Sequence, residues 1–219
     1  MLDKMKLLTA KVKAILQSAP RCHDWEHTDR VWRNARLIAV GETKNTPVDM
    51  NVLEAAAILH DVARPEELKT NGKECHAEKG AEIAKELLLE CGFTDQDMIA
   101  NIVECVKRHR YRGKSAPPET IEQKIIFDAD KLDSIGAIGV GRAIHFSGRI
   151  GSTLHNTKEE ALAAEAYGEG DSAFREYLVK LRHIPEKMLT ATGRSLATRR
   201  AEYMHDFFAR LNAEVYGDL

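Results

Sequence analysis

Apolar residues recur along the chain at intervals of three and four, and this spacing predicts a succession of helices. Leu2, Met5, Leu8, Val12, Ile15 and Leu16 form a stripe over residues 1–17, closed by Ser18-Ala19-Pro20. Val31, Ala35, Leu37, Ile38 and Val40 mark a second helix, with His27 in its first turn and Gly41 at its end. A third, over residues 52–61, has Asp49 as its expected N-cap and runs Ala55-Ala56-Ala57-Ile58-Leu59 directly into His60-Asp61. Pro65 breaks the chain soon after, and residues 64–73 read as a charged loop with a turn at Asn71-Gly72.

The helical period resumes at His76, through Ala77, Gly80, Ala81, Ile83, Ala84, Leu87 and Leu88 to Gly92. Thr94-x-x-Asp97 resembles a capping box for a helix carrying Ile99, Ile102, Val103 and Val106, which stops near His109. Pro117-Pro118 forces a loop, and residues 121–135 form a further helix containing Asp128, Asp130 and Asp133. Past Gly136 the pattern changes, because Gly136, Gly139, Gly141, Gly148 and Gly151 interrupt it. A mobile or partly irregular lid is expected over about residues 146–171, before two closing helices near 173–181 and 185–215. No alternating strand pattern and no internal repeat is present. The expectation is an all-α chain, a single domain over residues 1–219 with its motifs in about 20–145.

Composition narrows the classes. A chain of 219 residues can hold one sizeable core, and 43% apolar with 30% charged residues is ordinary for a globular protein. A net charge of -2 gives no electrostatic reason to expect a nucleic-acid or membrane partner. No stretch approaches the roughly 20 apolar residues of a membrane span, and the N-terminus lacks the pattern of a signal peptide. Cys22, Cys75, Cys91 and Cys105 show no Cys-x-x-Cys pair, which excludes zinc-finger and disulfide scaffolds. They read as reduced thiols, and the expected location is cytoplasmic.

Candidate chemistry gathers at helix ends. A small, apolar helix closing on His60-Asp61 places a carboxylate where burial is costly unless its charge is compensated. A divalent cation is one such partner, and imidazole with carboxylate is a donor set that transition metals accept. His23-Asp24-Trp25-Glu26-His27 is dense in similar groups, and Asp130 stands near the end of a later helix.

The series His27, His60-Asp61, Asp130 resembles the H…HD…D signature of HD-domain phosphohydrolases. His27-Thr-Asp-Arg30-Val31 looks like that family's H-x-x-R-V entry, and Ala129-Asp130-Lys131-Leu132-Asp133 like its A-D-[KR]-L-D form. The run from Asp128 to Arg142, with His23-Asp24-x-x-His27 and His76-Ala-Glu-x-Gly-Ala, is similar to bacterial HD nucleotide pyrophosphohydrolases. The resemblance implies His27, His60, Asp61 and Asp130 as metal ligands, preferring Asp130 to its neighbour Asp128. The metal would be manganese, nickel, cobalt, iron or zinc, one per chain, with a second at His76 and His109 as the variant. It implies Asp61, Arg64 and Lys131 as catalytic groups. His76, His109, Lys131, Asp133 and Arg142 would bind substrate.

The implied reaction converts a (d)NTP to (d)NMP and pyrophosphate by metal-activated water. The alternatives are nucleotide phosphomonoesterase, HD-type di-iron oxygenase, and a non-catalytic metal-stabilised module. The partner would be a small nucleotide or phosphate ester, with no nucleic acid or membrane, and with the chain acting alone or as a homodimer. One departure is clear. Second-messenger hydrolases of the superfamily carry an acidic pair after His-Asp, where this chain has Val62-Ala63-Arg64. The glycine-flanked tyrosine of the cyclic-dinucleotide branch is also missing.

Overall fold

The computed structural model describes residues 1–19, 23–69, 75–111, 116–166, 168 and 170–218. Pro20, Cys22 and the expected Asn71-Gly72 turn lie outside the described residues. The described chain is helical: α1 (Leu2–Leu16), α2 (Trp25–Glu42), α3 (Met50–Leu59), α4 (Arg64–Lys69), α5 (His76–Glu90), α6 (Gln96–Arg108), α7 (Ile121–Leu132), α8 (Gly136–Ile150), α9 (Lys158–Ala163), α10 (Ala173–Val179) and α11 (Ala191–Tyr216). Among the described residues there is no strand, only an isolated bridge between Thr153 and Ser172. Nor is any described helix long and apolar enough to cross a membrane. The fold is all-α, as the hydrophobic period requires. It packs as two compact units, Met1–Asp130 and Lys131–Leu219.

In the first unit α3 is the central element. Val52, Leu53 and every residue from Ala55 to Leu59 are buried, and α1, α2 and α6 pack around the helix. Its alanines keep the neighbouring helices close. Asp49 caps α3 as expected, accepting from the backbone N–H groups of Asn51 and Val52. Asp24 caps α2 in the same way through Glu26 and His27, which fixes the turn on which His27 stands. Across the unit, Asn34 Nδ2 donates to the Ala129 carbonyl at 3.2 Å and ties α2 to α7.

Several boundaries differ from expectation. Asp95 caps α6, accepting from Asp97 and Met98, in place of the Thr94-x-x-Asp97 box. Gly41 does not end α2, which continues to Glu42. Residues 64–69 form helix α4 where a loop was expected, because Pro65 in a first turn lacks only an N–H that has no helical partner anyway. Helix α7 stops at Leu132, short of residue 135, where the Ser134 hydroxyl and N–H both bond the Lys131 carbonyl.

In the second unit α8 packs on α10 and α11 around Phe208, Met204 and Ala197. The glycines after residue 135 do not break the chain, because α8 runs through Gly139, Gly141 and Gly148. Gly139 is there for space: a Cβ would lie 2.3 Å from the Ser134 carbonyl oxygen and 2.7 Å from Met204 Cε. The expected lid is irregular only from Gly151 onward. It holds α9, closed by a Thr157–Glu160 capping box, and Asn156 bonds both the Gly170 carbonyl and the Ser172 hydroxyl.

Two substitutions in α8 should therefore have opposite signs. Gly139→Ala should destabilise by about 1–3 kcal/mol through overpacking. Gly141→Ala meets nothing within 4 Å and should stabilise by about 0.5–1 kcal/mol. Denaturant melts of the two variants check the contrast.

Candidate metal centre

The first unit brings its buried polar side chains to one place. His27 enters from the first turn of α2, His60 and Asp61 from the end of α3, and Asp130 from α7. His27 Nε2 lies 3.2 Å from His60 Nε2, 3.5 Å from Asp61 Oδ2 and 3.5 Å from Asp130 Oδ1. His60 Nε2 is 3.7 Å from Asp61 Oδ2. His60 Nδ1 sits 2.7 Å from the Ala57 carbonyl, so Nδ1–H donates there and the Nε2 lone pair faces the cluster. Burial pushes His60 down to about 4, against the pull of Asp61, so its imidazole is neutral at pH 7. Burial alone would raise the Asp61 pKa. Arg64, with His60 and His23, outweighs it and holds the carboxyl well below its ordinary range.

This donor set fits a divalent transition metal. Ligand atoms about 2.0–2.2 Å from a shared ion lie roughly 3–3.5 Å apart, close to the spacing seen here. Two imidazoles and two carboxylates suit manganese, iron, cobalt, nickel or zinc. Asp128 is buried on the same helix but belongs to none of the potential metal-binding groups among the described residues. Asp130 is the acid that joins the cluster.

Asp61 turns its other oxygen to a second group. His76 Nε2 and His109 Nε2 lie 3.4 and 3.5 Å from Asp61 Oδ1 and 3.2 Å from each other. His109 Nδ1–H donates to the Val106 carbonyl at 2.6 Å. His76 Nδ1 faces Glu67 Oε1 at 3.0 Å, and burial pushes its pKa down to about 4. Glu67 would be raised by its own burial, but His76 and Arg64 draw it down to about 2. Arg110 Nη1 also lies 3.2 Å from His76 Nδ1, while His76 Nε2 faces Asp61.

The remaining expected groups are placed as follows. Arg64 Nε donates to Asp61 Oδ1 at 2.9 Å and Nη1 to Glu67 at 2.7 Å, so this arginine is held between two carboxylates. In the second unit Lys131 is half-buried, and Arg142 donates to the Asp133 carboxylate at 2.7 Å and to its carbonyl at 3.1 Å. Three site residues escaped the sequence reading of roles. His23 Nδ1 lies 2.8 Å from Asp61 Oδ2, Arg110 reaches Glu67 at 2.8 Å, and Glu67 links Arg64, His76 and Arg110. The opening His23-Asp24 was a signal for the first. Glu67 stood in a segment read as loop, which hid its spacing to Arg64.

The HD domain family matches residues 24–135 of the chain. The YpgQ protein of Bacillus subtilis, itself uncharacterized, is 32% identical over 211 residues, spanning 94% of this chain and 91% of its own length. Its crystal structure in complex with ADP superposes with a TM-score of 0.71, at 26% identity in the structural alignment, over 97% of this chain and 95% of that one. A predicted HD superfamily hydrolase from an uncultured Thermotogales bacterium gives a TM-score of 0.63 at 28% identity, over 94% and 91%. The chain belongs to the HD domain family.

The buried histidines make a pH prediction. His23, His60 and His76 are each pushed to about 4 from 6.5, chiefly by burial. Between those values the unfolded chain takes up protons that the folded chain refuses, so stability falls as pH drops through this window. Each such histidine contributes up to about 1.4 kcal/mol per pH unit. Thermal melts of chelator-treated protein between about pH 7.5 and about pH 4.5 should show a Tm that declines steadily below about 6.5. A flat curve would mean the imidazoles are not buried in their neutral form.

Proposed function

We propose that the chain is a metal-dependent phosphohydrolase that cleaves a nucleoside triphosphate to the monophosphate and pyrophosphate. The observation that carries this reading is the convergence of His27, His60, Asp61 and Asp130 on one buried point, with facing atoms 3.2–3.7 Å apart. The ADP bound by the YpgQ relative supports a nucleotide ligand. A divalent ion held by these residues would lower the pKa of bound water toward about 7 and offset phosphate charge.

The chain's own groups do the rest. The Ala57 carbonyl fixes the His60 tautomer, and Asp24 fixes the helix turn that carries His27. His23 and Arg64 hold the two oxygens of Asp61, keeping that carboxylate ionised and fixed where it would orient an attacking water. Lys131 and Arg142 keep the phosphate-directed roles that the sequence gives them, with Asp133 orienting Arg142.

A second reading rests on the other imidazole pair: His76 and His109 facing Asp61 complete the six donors of a di-iron oxygenase. Iron near two equivalents per chain, together with substrate-dependent oxygen uptake, would favour it over hydrolysis.

The test is a panel of ribo- and deoxyribonucleoside triphosphates with added manganese, scored separately for pyrophosphate and orthophosphate. Pyrophosphate with monophosphate is expected, and His60→Ala should lower kcat/KM on the order of 100-fold or more. Orthophosphate alone would replace the reading with phosphomonoester cleavage. Metal binding with no turnover of any nucleotide would leave a binding module.

A further inference from the structure

The second unit holds a cavity of about 640 Å³. Its walls are α9, α10, the helical turns Leu181–His183 and Pro185–Lys187, and the C-terminal half of α11. The floor is apolar, since Phe174, Tyr177, Leu178 and Phe208 are all buried. Its rings are layered. His155 stacks on Phe174 at 4.7 Å between centroids, and Tyr177 on Phe208 at 4.4 Å, with interplanar angles of 22° and 16°. A further flat ring packs well against such a floor, offset or edge-on.

Tyr177 gives the first sign of a polar ligand. It is 7% exposed and lines the cavity, yet its hydroxyl makes no hydrogen bond among the described residues. No fully buried side-chain oxygen or nitrogen among those residues lacks a partner, so what remains exposed of Tyr177 includes this hydroxyl. Burial pushes the phenol up against the pull of Arg182, which keeps the group a neutral donor at pH 7. A hydroxyl in that setting gains by meeting an acceptor that enters the cavity. Asn212 adds a second donor. Its Oδ1 meets His155 Nε2 at 3.2 Å, which leaves the Nδ2 hydrogens without a partner among the described residues.

Charge at the rim favours an anion. Arg182 commits only Nε, to His183 at 3.0 Å. Its Nη groups and the Lys158 ammonium make no hydrogen bond or ion pair among the described residues. The two acids on the same rim have other surroundings. Glu186 faces His183 at 3.7 Å, and Glu159 stands in the first turn of α9, where a helix end attracts negative charge.

The walls are set before any ligand enters. Arg175 Nε donates to the Ala164 carbonyl at 2.9 Å and ties the end of α9 to α10. The Thr157–Glu160 capping box fixes the start of α9, and His155 is held by both Phe174 and Asn212. A preformed pocket of this size, with an apolar floor and a few converging polar groups, is the usual form of a small-molecule site.

We propose that this cavity is a ligand site that takes a flat aromatic ring bearing a carboxylate or a phosphate. The ring lies against Phe174, Tyr177 and Phe208, while the Tyr177 hydroxyl and the Asn212 amide donate to its acceptors. Arg182 and Lys158 hold the anion. An aryl carboxylate and a nucleoside monophosphate share this chemistry. None of the lining residues belongs to the metal centre, so the site stands or falls independently of the proposed hydrolysis.

The experiment is isothermal titration of the full, chelator-treated chain with naphthoate, its neutral analogue naphthamide, AMP and adenosine. The same titrations are run on Arg182→Gln, Tyr177→Phe and Ala209→Trp, the last of which fills the cavity from an exposed position. Thermal melts confirm that each variant is folded, and Tyr177→Phe removes no internal hydrogen bond. Expected is one equivalent of naphthoate or AMP, bound at least about tenfold tighter than its neutral counterpart. Arg182→Gln should weaken that binding about tenfold or more, Tyr177→Phe about threefold or more, and Ala209→Trp should abolish it. Naphthoate alone with this dependence identifies an aryl carboxylate site, and AMP with the same dependence a nucleotide site.

Equal binding of charged and neutral probes would overturn the anion specificity. Binding of both anions that persists unchanged in Ala209→Trp and Arg182→Gln would lie elsewhere on the chain and overturn the site. Absence of binding by all four probes at millimolar concentration would overturn it as well. Each of these results leaves the hydrolase reading standing.

Discussion

The site depends on a single electrostatic constraint: Asp61 is a fully buried carboxylate that stays ionised. Burial by itself would neutralise it, and the surrounding groups must supply more favourable energy than desolvation removes. Arg64 Nε at 2.9 Å and His23 Nδ1 at 2.8 Å hold its two oxygens, and the imidazoles of His27, His60, His76 and His109 stand around them. Helices α2, α3, α4, α5 and α6 each bring a side chain from near one end to this carboxylate.

The apolar packing makes this aim accurate. Helix α3 is buried along its last turns, where the run Ala55-Ala56-Ala57 lets its neighbours approach closely and its end is held with little freedom. His60 and Asp61 follow that end directly. Asp24, Asn34 and the Ala57 carbonyl then lock backbone and tautomer, so the donor atoms are set before any ligand arrives. Preorganisation of this kind limits the reorganisation required when a metal or phosphate binds.

Glu67 gives the centre its asymmetry. It orients His76, anchors Arg64 and takes up Arg110, so the Oδ1 side of Asp61 carries fixed positive charge and the Oδ2 side carries a second carboxylate nearby. The same two-oxygen carboxylate thus faces two chemically different surroundings.

Much of this was legible in the amino-acid order. The three-to-four period predicted the helices, Asp49 marked the start of α3, and the apolar run into His60-Asp61 announced a buried charge needing a partner. His27 and Asp130 were identified by their motif text, and the structure places both beside the His-Asp pair. What sequence could not decide was anything set by contact between distant elements. Asp95 replaced the expected capping box, Pro65 opened α4, and Gly139 sits inside α8 because Ser134 and Met204 leave no room for a Cβ. The partners of Arg64, the meeting of His76 with His109, and the placement of His23 and Glu67 follow from helix packing. Local period and motif spacing fix which faces are apolar and which residue types stand near an element's end. Which oxygen of Asp61 each of those residues meets is fixed only when the helices close around it.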